Sequence, residues 1–208
     1  MINNIEWIFF DIGSTLIDES KAYEHRIKDA ILGSSITYDR FYNTMINFYK
    51  QNKKGDLEAI KLYNLKLPAW HSEDEILYPR TIDCLKLLSQ KYKIGIIANQ
   101  PFGTKSRLKT FGILQYIDLI ISSAEEGVAK PDLKIFEMAL KRSGCKAENT
   151  IMIGDRLDND IKPAKSIGMK TIWIKQGFSK FYTIKTEKEV PDYIVNDLNE
   201  LYDLLASN

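Results

Sequence analysis

Asp11 ends a short apolar run, Trp7-Ile-Phe-Phe-Asp11-Ile-Gly13-Ser14-Thr15, and a second acidic group, residues 155–160, follows another such run late in the chain. A carboxylate at the carboxyl end of a buried strand faces the crevice in which open parallel sheets bind ligands. Two of them therefore predict one shared, metal-holding site. Gly13-Ser14-Thr15 is a small-residue turn that lets the backbone approach a ligand and aims amides and a hydroxyl at an anion. Asn99 closes another apolar run with a side chain suited to a phosphate oxygen, and Lys130, just ahead of Pro131, offers a cation. Gly154-Asp155-Arg-Leu-Asp158-Asn-Asp160 supplies carboxylates for a hard divalent ion. A carboxylate nucleophile facing a phosphate dianion is repelled unless cations neutralise the site, and Mg²⁺ with a lysine would do that.

The elements that must position these groups are legible as short runs rich in Ile, Val, Phe and Trp at residues 5–10, 94–98, 119–122, 150–153 and 171–174. They lack the polar alternation of a half-wet sheet, so they read as strands covered on both faces. Helical patterns lie between them. Ile82, Leu85, Leu87 and Leu88 form one apolar face; Ile135, Phe136, Met138, Ala139 and Leu140 form another, opened by Pro131-Asp132 and closed by Gly144. Strands alternating with helices predict a mostly parallel α/β sheet, ending in a short strand at 193–195 and a helix at 197–205.

Residues 17–78 interrupt this rhythm with aromatic, charged and helical sequence. Tyr23, Ile27, Ala30 and Ile31 share one face, Phe41, Met45, Phe48 and Tyr49 another, and residues 51–56 read as a surface turn. A lobe that leaves just after Asp11 is expected to sit over whatever Asp11 does. The domain expectation is a core of 1–16 with 79–208 and a helical cap of 17–78 between them.

Composition narrows the partners. Among 208 residues, 29 Lys and Arg against 28 Asp and Glu give a net charge of +1, which offers no broad basic field for nucleic acid. No apolar run approaches the roughly 20 residues needed to cross a bilayer, and no basic leader precedes an apolar stretch. A soluble cytoplasmic protein, monomer or homodimer, is expected. Cys84 and Cys145 read as two buried thiols, and His25 and His71 as isolated surface or packing residues.

Taken together the motifs resemble the haloacid dehalogenase-like hydrolase superfamily, in the branch whose helical cap is inserted after the first strand. The match spans nearly the whole chain: Phe10-Asp11-Ile-Gly-Ser-Thr-Leu16, the strand ending Ala98-Asn99, Lys130-Pro131-Asp132 with Ile135-Phe136, then Ile153-Gly154-Asp155 through Asp160-Ile161, with Ala164 and Gly168-Met169. Any one is weak, but four in order at these spacings are specific. The resemblance implies a doubly wound, Rossmann-like sheet of order 5-4-1-2-3, with the strands ending in Asp11 and Asp155 side by side. It implies that Asp11 attacks phosphorus to give an aspartyl phosphate, assisted by Lys130. It also implies Mg²⁺ held by Asp11, the Gly13 carbonyl, Asp155 and Asp160, with Ser14, Thr15, Ala98 and Asn99 around the phosphoryl group.

Three departures from the family pattern stand out. Gly13 occupies the position, two after the nucleophile, where phosphatases of the family carry an aspartate that shuttles the proton; such catalysis is worth about 10²–10⁴ in rate. Ser14 replaces a glycine, a change suited to a turn of negative φ. Ala98 stands where a serine or threonine contacts the phosphoryl group. The expected function is a Mg²⁺-dependent phosphoric monoester hydrolase of a small phosphorylated metabolite, slow or selective for good leaving groups unless Asp18 or Glu19 takes over the shuttle. The alternative is a non-catalytic or weakly active binding protein of the same fold. A haloacid dehalogenase is a weaker third reading, because that chemistry uses no metal and Asp155 and Asp160 are intact.

Overall fold

The apolar runs become strands because their Ile and Phe side chains find a helical layer on each face of one sheet. In the computed structural model, which describes residues 4–206, the chain begins β1 (Trp7–Phe10), β2 (Ile17–Asp18), α1 (Ser20–Ile31), α2 (Tyr38–Tyr49), α3 (Gly55–Leu62) and β3 (Ile76–Leu77). It continues α4 (Thr81–Leu88), β4 (Lys93–Ala98), α5 (Thr104–Thr110), β5 (Leu119–Ser122), α6 (Ser123–Glu126) and α7 (Leu133–Ser143). It ends β6 (Thr150–Gly154), α8 (Lys162–Ser166), β7 (Lys170–Ile174), β8 (Tyr193–Val195) and α9 (Leu198–Ala206). Residues 1–3 and 207–208, the ends of the expected core segments, lie outside the described residues.

The main sheet has the order β5-β4-β1-β6-β7-β8, and every pairing is parallel. Counting the five core strands, this is the expected 5-4-1-2-3, with Tyr193–Val195 added as a sixth strand beyond β7. The chain moves outward from β1 to β4 and β5, then returns to the other side of β1 to begin β6. That reversal opens a crevice at the carboxyl ends of β1 and β6.

Alternation along β1 divides the core. Ile8 and Phe10 pack with Cys84, Leu85 and Leu88 of α4 and Leu198, Leu201 and Leu205 of α9. Phe9 points the other way, to Ile97, Ile121 and Met152 beneath Ile135, Phe136 and Ala139 of α7. Each such side chain, taken fully out of water, stabilises the fold by about 1.5–3 kcal/mol. The α7 signals behave as read: the Asp132 side chain accepts from the Lys134 amide, and Gly144 ends the helix at φ 67°. In α4 the face is turned from the expected one. Ile82 is 43% exposed and Cys84 is buried in its stead, because the Thr81 hydroxyl donates to the Leu16 carbonyl at 3.0 Å and sets the rotation of the first turn. Cys145 is only partly buried, since it lies in the loop between α7 and β6.

The insert is helical, with three helices. Ile27 and Ala30 of α1 join Phe41, Met45 and Tyr49 of α2, and that cluster continues into Leu157, Ile161, Trp173 and Tyr182 beside the sheet. The turn expected at 51–56 ends by residue 54, where α3 begins with buried Gly55 and Asp56. The sequence offered no hint of the antiparallel ribbon β2–β3, which pairs Ile17 with Leu77 and Asp18 with Ile76. Two residues per strand show no periodicity, yet this ribbon clamps the two stems of the insert next to Asp11.

Candidate active site

Asp11 follows β1 directly, and its amide still donates to the Ile153 carbonyl of β6 at 2.9 Å. That bond holds Asp11 level with Gly154, so the next residue on β6's side, Asp155, leaves its strand alongside. Asp160 comes back to the same place through a single π-type turn, residues 157–161, held by the Arg156 amide donating to its Oδ2 at 3.0 Å. Its approach is possible because residue 154 is glycine. A Cβ there would lie 2.4 Å from the Asp160 carboxyl carbon.

Lys130 enters from the opposite flank. Its backbone is braced by Asn99, whose Oδ1 accepts from the Lys130 amide at 2.8 Å and whose Nδ2 donates to the Lys130 carbonyl at 2.9 Å. The ammonium then donates to Asp11 Oδ1 and Asp160 Oδ1, each at 2.6 Å, and to the Ile97 carbonyl at 2.8 Å. All three of its protons are engaged. Burial works against the charge on this lysine, but Asp11 and Asp160 hold its pKa above the ordinary value.

Ligand oxygens of Asp11, Asp155 and Asp160 all lie within 4.8 Å of one another. The cluster holds three carboxylates and one ammonium, all buried. Burial pushes the Asp155 carboxyl well up, reinforced by Asp160 and Asp11. Burial also pushes Asp160 up to about 6 against the pull of Lys130. Such an excess of buried negative charge calls for a further cation, and hard oxygen donors at this separation fit Mg²⁺.

A cavity of about 180 Å³ opens over this cluster, lined by Asp11, Gly13, Ser14, Asn99, Lys130, Asp155 and Asp160 below. Glu19, Tyr23, Tyr49 and Lys54 from the insert side, Gln100, Arg156 and Asn159 from the core, and Phe178, Ser179 and Tyr182 from the segment after β7 complete it. The structure thus brings Asp11, Gly13, Ser14, Asn99, Lys130, Asp155 and Asp160 together. Thr15 and Ala98 are fully buried behind the wall, and the Thr15 hydroxyl has no hydrogen-bond partner. Ser14 sits at φ 54° rather than at a negative angle, which costs a non-glycine residue about 1–2 kcal/mol. Its hydroxyl offsets part of this by donating to Glu19 Oε2 at 2.9 Å. Glu19 is pushed up to about 7, mainly by burial and despite that hydrogen bond, with Asp11 and Glu75 adding to it. Phe178, Ser179 and Tyr182 escaped the sequence reading because the segment after β7 carries no motif.

Comparison with known proteins gives the family. Residues 8–174 match the haloacid dehalogenase-like hydrolase family model. The glyceraldehyde 3-phosphate phosphatase of Pyrococcus furiosus is 32% identical, the alignment covering 98% of this chain and 94% of that protein. The protein of the same name from Methanocaldococcus jannaschii is also 32% identical, over 98% of both chains. A solved haloacid dehalogenase-like phosphatase from Thermococcus onnurineus superposes with a TM-score of 0.64 at 26% identity, over 97% of this chain and 98% of that one. The chain belongs to the haloacid dehalogenase-like hydrolase family.

Proposed function

We propose that the protein is a Mg²⁺-dependent phosphatase that hydrolyses a small phosphorylated metabolite through an aspartyl phosphate on Asp11. The observation that carries this reading is the convergence of Asp11, Asp155 and Asp160 within 4.8 Å of one another, beside Lys130, at the floor of a small cavity. Asp11, Asp155 and Asp160 would hold the ion, which when bound supplies the positive charge that lets an anionic carboxylate meet a phosphate. Lys130 holds and aims Asp11 through its 2.6 Å hydrogen bond, and it neutralises charge on the transferring group. Residues 17–78 serve as a cap that screens the floor from water, and residues 4–16 with 79–206 as the core. No helix among the described residues is long and apolar enough to cross a membrane, and a cytoplasmic metabolite is the expected substrate.

The cavity's modest size favours an ester about as large as a triose phosphate, and the named activity of the relatives makes glyceraldehyde 3-phosphate the first compound to assay. Gly13 supplies no proton shuttle, so the rate on alkyl esters depends on whether another side chain does. The alternative, a binding protein that keeps the fold without turnover, is favoured by Gly13 and by the hydroxyl-free Ala98.

A panel of phosphorylated metabolites and 4-nitrophenyl phosphate, with and without Mg²⁺, tests this. Turnover should require Mg²⁺, and Asp11→Asn should lower it on the order of 10⁴–10⁶-fold while the protein stays folded. Wild-type turnover no higher than that of Asp11→Asn would establish the binding protein instead.

A further inference from the structure

We infer that Glu19 is the proton-transfer residue of this site, taking from outside the usual loop the role that Gly13 leaves vacant. The inference rests on the phosphatase reading above and extends it to a residue that no family motif marks.

A Cβ built on Gly13 would lie 2.6 Å from Glu19 Oε1, 2.9 Å from its Cδ and 2.9 Å from its Oε2. The Glu19 carboxyl therefore fills the volume that a side chain at position 13 would enter. It lines the same cavity as Asp11 and Lys130. Glu19 precedes α1 in the N-cap position, yet its side chain makes no capping hydrogen bond. The Ser20 amide is served by Asp18 Oδ1 at 2.8 Å instead. Released from that duty, the Glu19 side chain turns into the site, where the Ser14 hydroxyl donates to its Oε2 at 2.9 Å. Ser14 thereby acts as a positioning residue, and its left-handed φ of 54° is part of how the loop reaches Glu19. The antiparallel ribbon of β2 and β3 holds the stem that carries Glu19 in register. Asp18, the other acidic candidate on this stem, is spent on the Ser20 amide and is absent from the cavity lining.

The chemistry balances. An oxygen of Asp11 attacks phosphorus, the bond from phosphorus to the ester oxygen breaks, and the protonated Glu19 carboxyl gives its proton to that departing oxygen. Glu19, now a carboxylate, takes a proton from water as the water oxygen attacks the aspartyl phosphate. The bond from Asp11 to phosphorus breaks, inorganic phosphate leaves, and both residues return to their starting forms.

A leaving-group comparison in Mg²⁺-containing buffer tests the assignment. With an alkyl phosphate, Glu19→Gln should slow steady-state turnover by about 10²–10⁴-fold. With 4-nitrophenyl phosphate, whose leaving group needs no proton, the same variant should release a burst of nitrophenolate, about one per chain, and then stall, because the second step still lacks its base. Gly13→Asp combined with Glu19→Ala should restore alkyl phosphate turnover, since the new carboxylate enters the emptied volume. If Glu19→Gln slows both esters equally and shows no burst, or leaves alkyl turnover intact, Glu19 is not the shuttle. Those results would leave the Asp11→Asn comparison, and with it the phosphatase reading, untouched. A wild-type protein without Mg²⁺-dependent turnover would remove both.

Discussion

Two clusters in this molecule each set basic side chains against acidic ones, and their physical character is opposite. At the strand ends, Lys130 bridges Asp11 and Asp160 with all partners buried. On the insert, His25 and His71 stack with ring centroids 3.5 Å apart, and their nitrogens meet Asp74, Asp29 and Glu73 near the surface. The first cluster lies in a poorly screened interior, where charges interact strongly and each orphaned one is expensive. The second is wetted, and its ion pairs are worth little in water. A list of residue types would rank the histidine cluster as the likelier metal site, and His25, His71 and Glu73 do bring ligand atoms within 4.8 Å of one another. Their parallel rings, only 9° apart, direct in-plane lone pairs side by side rather than at a common point. Burial and convergence separate a site from a surface contact more reliably than residue type.

Lys130→Met leaves Asp11 and Asp160 without their shared cation, and urea unfolding should show a loss of about 3–5 kcal/mol. A loss below 1 kcal/mol would place the buried cluster in the same class as the exposed one. Added Mg²⁺ should recover part of the stability of this variant, a shift read directly in the unfolding midpoint. Gly154→Ala should cost about 1–3 kcal/mol, because the new methyl must displace the Asp160 carboxyl, which lies 2.4 Å away. Its Mg²⁺ binding by calorimetry should weaken with it. The smallest effect belongs to the insert. Glu73 and then Asp29 raise the pKa of His71, so its contribution is present below the unfolded value of about 6.5 and is lost as pH rises through the folded one. His71→Ala should therefore lower the melting temperature slightly at pH 5.5 and leave it unchanged at pH 8.5. Equal shifts at both pH values would assign the His71 contribution to ring packing.

Much of the acidic floor of the cavity is legible in the sequence. Asp11, Lys130, Asp155 and Asp160 sit beside strand ends or a helix start, and those ends are announced by apolar runs and by Pro131-Asp132. The sequence presents His25 and His71 as isolated, and the structure stacks them, because a contact between α1 and the segment before β3 leaves no trace in either stretch of sequence. Asn99 reads in the sequence as a phosphate contact; in the structure it lines the cavity while both ends of its amide brace the Lys130 backbone. Its type could not reveal which partner would claim it.

The order of strands and helices, the apolar faces that cover the sheet and the two acidic strand ends flanking one crevice can all be read along the chain. These depend on local periodicity and on the rule that parallel crossovers place strand carboxyl ends together. Folding in three dimensions is what lets Asp160 reach Lys130 past Gly154, puts Ser14 in a left-handed turn and fills the volume beside Gly13 with Glu19. Each of these is a matter of which atoms exclude which others across distant parts of the chain, and such exclusion has no period for a sequence to display.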